Sequence, residues 1–173
     1  VTLMTKKSPP ERLSNQRPIA LLNTVYKLFA IVLNARLTRT MEENGILEPE
    51  QEGGRRMHNT IRQLQRLQWQ FQDARRQRKK MFALFVDTST AFGSVSHRVL
   101  WSVVRAYGRP PDDVTFLEQM YEGSRFHING PFGQSAELHT HAGVNQGDIT
   151  SPLFWNLIIN AMLRYVHGAR KGY

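Results

Sequence analysis

The residues best placed to do chemistry lie in one run, Phe82-Ala83-Leu84-Phe85-Val86-Asp87-Thr88-Ser89-Thr90-Ala91-Phe92. Residues 81–86 are apolar and aromatic-rich, the pattern of a short strand buried on both faces. A carboxylate at the tip of such a strand is held by rigid backbone and faces open space, which is where a catalytic metal ligand belongs. The carbonyl of Val86 or Thr88 would add another oxygen. The chemistry served would be nucleotidyl transfer, in which two divalent ions about 3.5–4 Å apart activate the attacking hydroxyl and clamp a triphosphate. Taken by itself, Asp87 reads equally as a residue that ends a strand or caps the next helix. A second signature follows at residues 143–152, Gly143-Val144-Asn145-Gln146-Gly147-Asp148-Ile149-Thr150-Ser151-Pro152.

The elements that must position these residues are mostly helical. Residues 1–18 are polar and broken by Pro9, Pro10 and Pro18, and read as an extended lead-in. From residue 21 to 43, Leu21, Leu22, Val25, Leu28, Phe29, Val32, Leu33, Leu37 and Met41 recur at three and four, giving an amphipathic helix that stops at Asn44-Gly45. Residues 49–59 are a loop. Thr60 begins a second helix with Ile61, Leu64, Leu67 and Phe71 on one face and a strongly basic opposite face. The buried strand 81–87 follows. Helices are expected over 97–107 and 112–122, with Asp112 as an N-cap and the Asp112-Asp113 pair serving as a helix cap. Residues 124–142 read as a hairpin or two short strands around Asn129-Gly130-Pro131-Phe132-Gly133. Ser151-Pro152 opens a last, densely apolar helix.

Composition bounds the partners. The 173 residues carry a formal net charge of +9, which favours polyanions: nucleic acid first, an acidic membrane surface second. No apolar stretch approaches the length of a membrane span, so no membrane insertion is expected. The first residues lack the apolar core of a secretory signal. The chain has no cysteine, which excludes disulfides and thiolate zinc sites and fits a reducing compartment. An intracellular protein, nuclear or cytoplasmic and not secreted, is therefore expected. Val1 in place of an initiator Met points to a piece of a longer protein. The histidines show no metal-binding spacing backed by other ligands; His139 and His141 would share a strand face but lack a third partner.

In their order, the motifs resemble the reverse transcriptase domain of retroelements, most closely those without long terminal repeats. Arg17-Pro18-Ile19-Ala20-Leu21-Leu22-Asn23 with Tyr26-Lys27 is similar to the opening fingers motif. Gln51-Glu52-Gly53-Gly54-Arg55 with Thr60 and Gln63 resembles the second fingers motif. Phe85-Val86-Asp87 through Ala91-Phe92 and Ser94-Val95-Ser96-His97 resembles the first palm motif, and residues 143–152 the second. The resemblance implies an α+β fold, the polymerase right hand: helical fingers over residues 1–80 and part of an antiparallel-sheet palm over 81–173. It also implies template-directed deoxynucleotidyl transfer with Mg2+ (or Mn2+), an RNA template, a DNA primer and deoxynucleoside triphosphates.

Roles follow position by position from that resemblance. Asp87 would bind the metals, with backbone oxygens of Val86 and Thr88. Phe92, beside Ala91, would lie under the incoming sugar and exclude a 2′-hydroxyl; otherwise it is a plain core phenylalanine. An RNA-directed RNA polymerase shares the metal logic, but a side chain of that size should obstruct a ribose. Gln146 and Gly147 would line the nucleotide pocket, or form an ordinary turn. Arg17, Lys27 and Arg55 would contact triphosphate or template, or remain solvated charges. The basic helix face and its exit, Arg62, Arg66, Arg75, Arg76, Arg78, Lys79 and Lys80, is a candidate template-backbone track, with a solvated face as the alternative. Trp69 and Phe71 could stack on bases, though packing is the plainer role.

The chain also departs from the family pattern. No Asp-Asp pair follows the second palm motif, so the 173 residues are expected to stop before the second catalytic carboxylates and to be inactive alone. Gly93 stands for an acidic residue, Thr90 for a basic one, and Gly54 for an aromatic one. These departures keep a second reading in view: a decayed or domesticated, non-catalytic module that binds nucleic acid or protein.

Overall fold

The computed structural model describes residues 1–9, 12, 15–130 and 133–169. The first two helices begin where an asparagine side chain serves a first-turn amide that otherwise lacks an intrahelical acceptor. Asn23 accepts from Val25 N at 2.8 Å and opens α1 (Thr24–Glu43). Asn59 accepts from Arg62 N at 3.0 Å and opens α2 (Thr60–Arg76). Gly45, at φ +57°, stops α1 in the left-handed conformation that glycine takes without a steric cost. α3 (His97–Ala106) and α5 (Ser151–Gly168) lie where the sequence places them. α4 (Pro111–Tyr121) starts one residue earlier than expected: Pro111 is already helical, so Asp112 and Asp113 sit in the first turn and neither is the N-cap. Asp113 pairs with Arg109 instead.

The core lies among α3, α4 and α5. Leu100 and Val104, Val114 and Leu117, and Phe154 and Leu157 are fully buried there, joined by Leu37 and Met41 from the end of α1. Each such side chain contributes about 1.5–3 kcal/mol. Trp101, Tyr121 and Phe154 meet edge to face, with centroids 5.4–5.9 Å apart.

The first residues form structure that the sequence does not announce. β1 (Thr2–Thr5) pairs antiparallel with β2 (Gln16–Ile19), from Thr2 opposite Ile19 to Thr5 opposite Gln16. β1 also pairs in parallel with β4 (Asn129–Gly130), which continues antiparallel into β5 (Gly133–Gln134). The extended lead-in is thus two paired strands. Between residues 124 and 142, β3 (Arg125–Phe126) pairs with β6 (Leu138–His139). Pro10, and Pro131 and Phe132 of the expected turn, lie outside the described residues.

Three expectations of burial fail. Residues 81–88 form no strand, and Phe82, Leu84 and Val86 are 91, 87 and 72% exposed. Among the described residues no strand runs beside this segment, so its amides have no ladder to join and its side chains no second layer to enter. Asp87 therefore projects from an irregular, exposed segment and not from the tip of a buried strand. The helix expected from residue 21 starts at Thr24, behind its Asn23 cap, so Leu21 lies ahead of it; the stripe is covered only where α1 meets the core, and Leu21, Val25, Leu28 and Val32 are exposed. α2 is turned about: Ile61, Leu64 and Phe71 face solvent, and Arg62 and Arg66 face the chain.

Candidate active site

Motif segments far apart in sequence meet at the loop of residues 143–150, ahead of α5. On one side Gly143 N donates to Val95 O at 2.7 Å, Val144 N donates to Phe92 O at 2.8 Å, and His97 Nε2 lies 2.7 Å from Gly143 O. On the other side Ala20 N donates to Gln146 O at 2.7 Å. Gly147, at φ +114°, has no room for a side chain: a Cβ would stand 2.7 Å from Ala20 O. Only glycine lets the two backbones approach this closely.

Asp148 holds the loop from within. Its buried carboxylate accepts from Thr150 N and Thr150 Oγ1 through Oδ1, both at 3.0 Å, and from the Tyr26 hydroxyl through Oδ2 at 2.7 Å. Ser151 Oγ donates to Asn145 O at 2.8 Å. Burial first, and then the bond to Asp148, push the Tyr26 hydroxyl far above its ordinary pKa. Burial does the same to Tyr121. Tyr26 is thus held as a neutral donor.

The structure gathers one group of the expected residues around this loop. Gln146 is half-buried and Gly147 exposed at its surface. Phe92 is half-buried, edge to face with Trp155 at 6.2 Å, and its backbone carries the loop. Ala91 beside it is half-buried. Arg17, on β2, and Lys27, on α1, are exposed on the segments that flank Ala20 and Tyr26. Thr90, at φ +52°, turns the chain between Asp87 and Phe92; a β-branched residue is strained there.

Arg55, by contrast, is occupied. It donates to Glu42 Oε1 at 2.8 Å and Oε2 at 2.5 Å, and to the carbonyls of Glu48 and Gln51 at 2.9 and 3.1 Å. Its donors thus serve the 48–51 loop rather than open space. Arg62 and Arg66 lie 3.6 and 3.2 Å from the buried Glu52 carboxylate, which also meets His58 at 2.9 Å. Arg75, Arg76, Arg78, Lys79 and Lys80 are exposed at the end of α2 and beyond it.

The Asp87 carboxylate is exposed and makes no hydrogen bond or ion pair among the described residues. With the carbonyls of Val86 and Thr88 it offers hard oxygens, the donors that Mg2+ takes. It fits as one ligand. It belongs to no cluster of three or more His, Asp or Glu side chains among the described residues; the one such cluster is Glu48, Glu50 and His167.

A sequence profile described as "Reverse transcriptase (RNA-dependent DNA polymerase)" matches residues 4–171. The chain belongs to the reverse transcriptase family. Its relatives are retroelement proteins. It is 31% identical over 163 residues to "Probable RNA-directed DNA polymerase from transposon X-element" of Drosophila melanogaster, covering 94% of this chain and 18% of the relative. It is 39% identical over 79 residues to the "Retrovirus-related Pol polyprotein from type-2 retrotransposable element R2DM" of the same organism, covering 46% of this chain and 8% of the relative. It is 28% identical over 163 residues to the type-1 element R2 polyprotein of Popillia japonica, covering 94% of this chain and 22% of the relative. This reverse transcriptase chain thus spans less than a quarter of each of these relatives.

Several residues that build this candidate site carry no local signal of their role. Tyr26, Asp148 and Glu52 stand in the sequence only as members of their motifs. Asn156 Nδ2 donates to Gly53 O at 2.6 Å, and Asn160 Nδ2 donates to Ile46 O at 2.8 Å while its Oδ1 accepts from Glu48 N at 2.6 Å. These two asparagines fasten the 46–53 loop to α5. Their signal was legible: two amides four apart in an otherwise apolar helix must serve buried backbone.

Proposed function

We propose that this chain is the fingers and partial palm of an RNA-directed DNA polymerase, with residues 1–80 as fingers and 81–173 as palm. The observation that carries the reading is the convergence of Ala20, Phe92 and Gln146-Gly147 on one loop, which gathers the expected nucleotide-facing residues from three separate motifs. In the intact protein the 3′-hydroxyl of a DNA primer would attack the α-phosphate of a deoxynucleotide on an RNA template. Bound Mg2+ would supply charge neutralisation and activation of that hydroxyl. Of this chain's residues, Asp87 would hold the ion with the carbonyls of Val86 and Thr88. Phe92 with Ala91 would bound the sugar, Gln146 and Gly147 would line the pocket, and Arg17 and Lys27 would meet the triphosphate or template. The basic end of α2, residues 75–80, would follow the template backbone. The chain alone would be inactive, because no Asp-Asp pair follows the second palm motif within these 173 residues. We place the protein inside the cell, in nucleus or cytoplasm.

Primer extension on an RNA template by the intact gene product tests the reading. Asp87→Ala should abolish extension while leaving RNA binding and thermal stability nearly unchanged, since the side chain is exposed and unpaired. Residual extension above about one percent of wild type would argue against the metal role. A decayed or domesticated, non-catalytic module that binds nucleic acid or protein is the second reading, favoured by Gly93 and Thr90 at positions where the family carries charge. That module would bind RNA or a protein and extend nothing.

A further inference from the structure

The Asp148 carboxylate is buried, yet it has no lysine or arginine partner among the described residues. A carboxylate taken out of water without a cation is costly unless neutral donors serve both oxygens. Here they do, and the two oxygens look in different directions. Oδ1 serves Thr150 at the start of α5. Oδ2 reaches across 122 sequence positions to the Tyr26 hydroxyl on α1. The carboxylate thus joins two segments that each carry residues expected to face the nucleotide: Gln146 and Gly147 precede Asp148, and Arg17 and Lys27 bracket Ala20 and Tyr26. The second link between the same segments is the backbone bond from Ala20 N to Gln146 O. A neighbour of this kind needs a donor that stays protonated, and burial keeps the Tyr26 hydroxyl in that state.

We infer that Tyr26 and Asp148 are positioning residues, whose hydrogen bond fixes Gln146-Gly147 against the 17–20 segment and thereby sets the affinity for the incoming nucleotide. The inference rests on the reading of those residues as nucleotide-facing. Tyr26→Phe keeps the ring and removes the hydroxyl, so Asp148 Oδ2 is left buried without its donor. The loop would then shift or open to admit water.

The test uses the intact gene product, as wild type and as Tyr26→Phe, in two measurements. Amide exchange should quicken about tenfold at Ala20 and across residues 143–148 in the variant. The core amides of α3 and α4 should keep their wild-type rates, which controls for folding. In primer extension the KM for deoxynucleotide should rise about fivefold or more with kcat within about twofold, the split expected when binding geometry and not chemistry is lost. Unchanged exchange at Ala20 overturns the inference. So does quickened exchange with an unchanged KM, because the bond is then only structural. If the wild-type protein extends no primer, the polymerase reading falls and this inference falls with it. If wild type extends and only the variant's KM fails to move, the inference alone falls.

Discussion

The Ala20 carbonyl oxygen stands where a side chain on Gly147 would have to go, 2.7 Å from the position of its Cβ. The contact is with backbone, so neither partner can swing aside. Gly147→Ala should cost about 1–3 kcal/mol, the sum of the clash and of φ +114°. Gly108→Ala makes a useful comparison: its φ is +76° with nothing within 4 Å, so only the backbone strain of about 1–2 kcal/mol applies. Thermal unfolding of the two variants should show the larger fall for Gly147→Ala.

Phe92 has two jobs that one substitution separates. Its ring rests against Trp155 at the margin of the core, so Phe92→Ala should lower stability by about 1–3 kcal/mol, less than for a fully buried ring. As the proposed gate it should also admit ribonucleotides once removed. A nucleotide competition assay with the intact protein checks this; unchanged discrimination would leave Phe92 as packing alone.

Glu52 restrains two arginines that would otherwise meet a polyanion. Its carboxylate is buried, whereas the Arg62 and Arg66 side chains are 41 and 39% exposed. Glu52→Gln should destabilise the 49–59 loop by about 1–3 kcal/mol. It should also strengthen RNA binding at low salt and steepen the salt dependence by about one ion for each arginine released. Binding isotherms across a salt series would show it; an unchanged slope would mean that the arginines stay turned inward.

Acid should loosen the junction between α1 and the second fingers motif, where Glu42 meets Arg55. The Arg55 hydrogen bond holds the Glu42 carboxyl below its ordinary value of 4.5. A group whose folded pKa is lowered contributes stability above its unfolded pKa and loses it as pH falls through the folded value. The contribution is therefore complete above about pH 4.5 and declines below it. Glu42→Gln should flatten that acid limb in a thermal series from about pH 6 to pH 3. A limb unchanged by the substitution would assign the acid loss to other carboxylates.

Helix positions were legible because they are written locally. Asn59 before Thr60, Ser151-Pro152, and Asn44-Gly45 are signals within a few residues of the boundary they set. β1 and β2 were not legible, because a four-residue strand exists only through its partner, and Thr2 finds Ile19 and Asn129. Periodicity marks the apolar stripe of α2 as a face but does not say which face the rest of the chain covers. Here a buried Glu52 draws the charged side inward. The site residues named by motif could be placed on segments in advance. The Tyr26–Asp148 tie could not, since nothing local distinguishes an Asp that accepts from a residue 122 positions away.

The exposed ribbon of residues 82–86 will govern how these 173 residues behave in a tube. Rings and branched carbons crowd it, and among the described residues no strand pairs with its amides and carbonyls. Such a ribbon recruits others like it, so crowded solutions of the chain should thicken into assemblies well before any helix melts. The surplus of nine positive charges works against that attraction through mutual repulsion, which makes dilute, low-salt buffers the gentlest medium for the molecule.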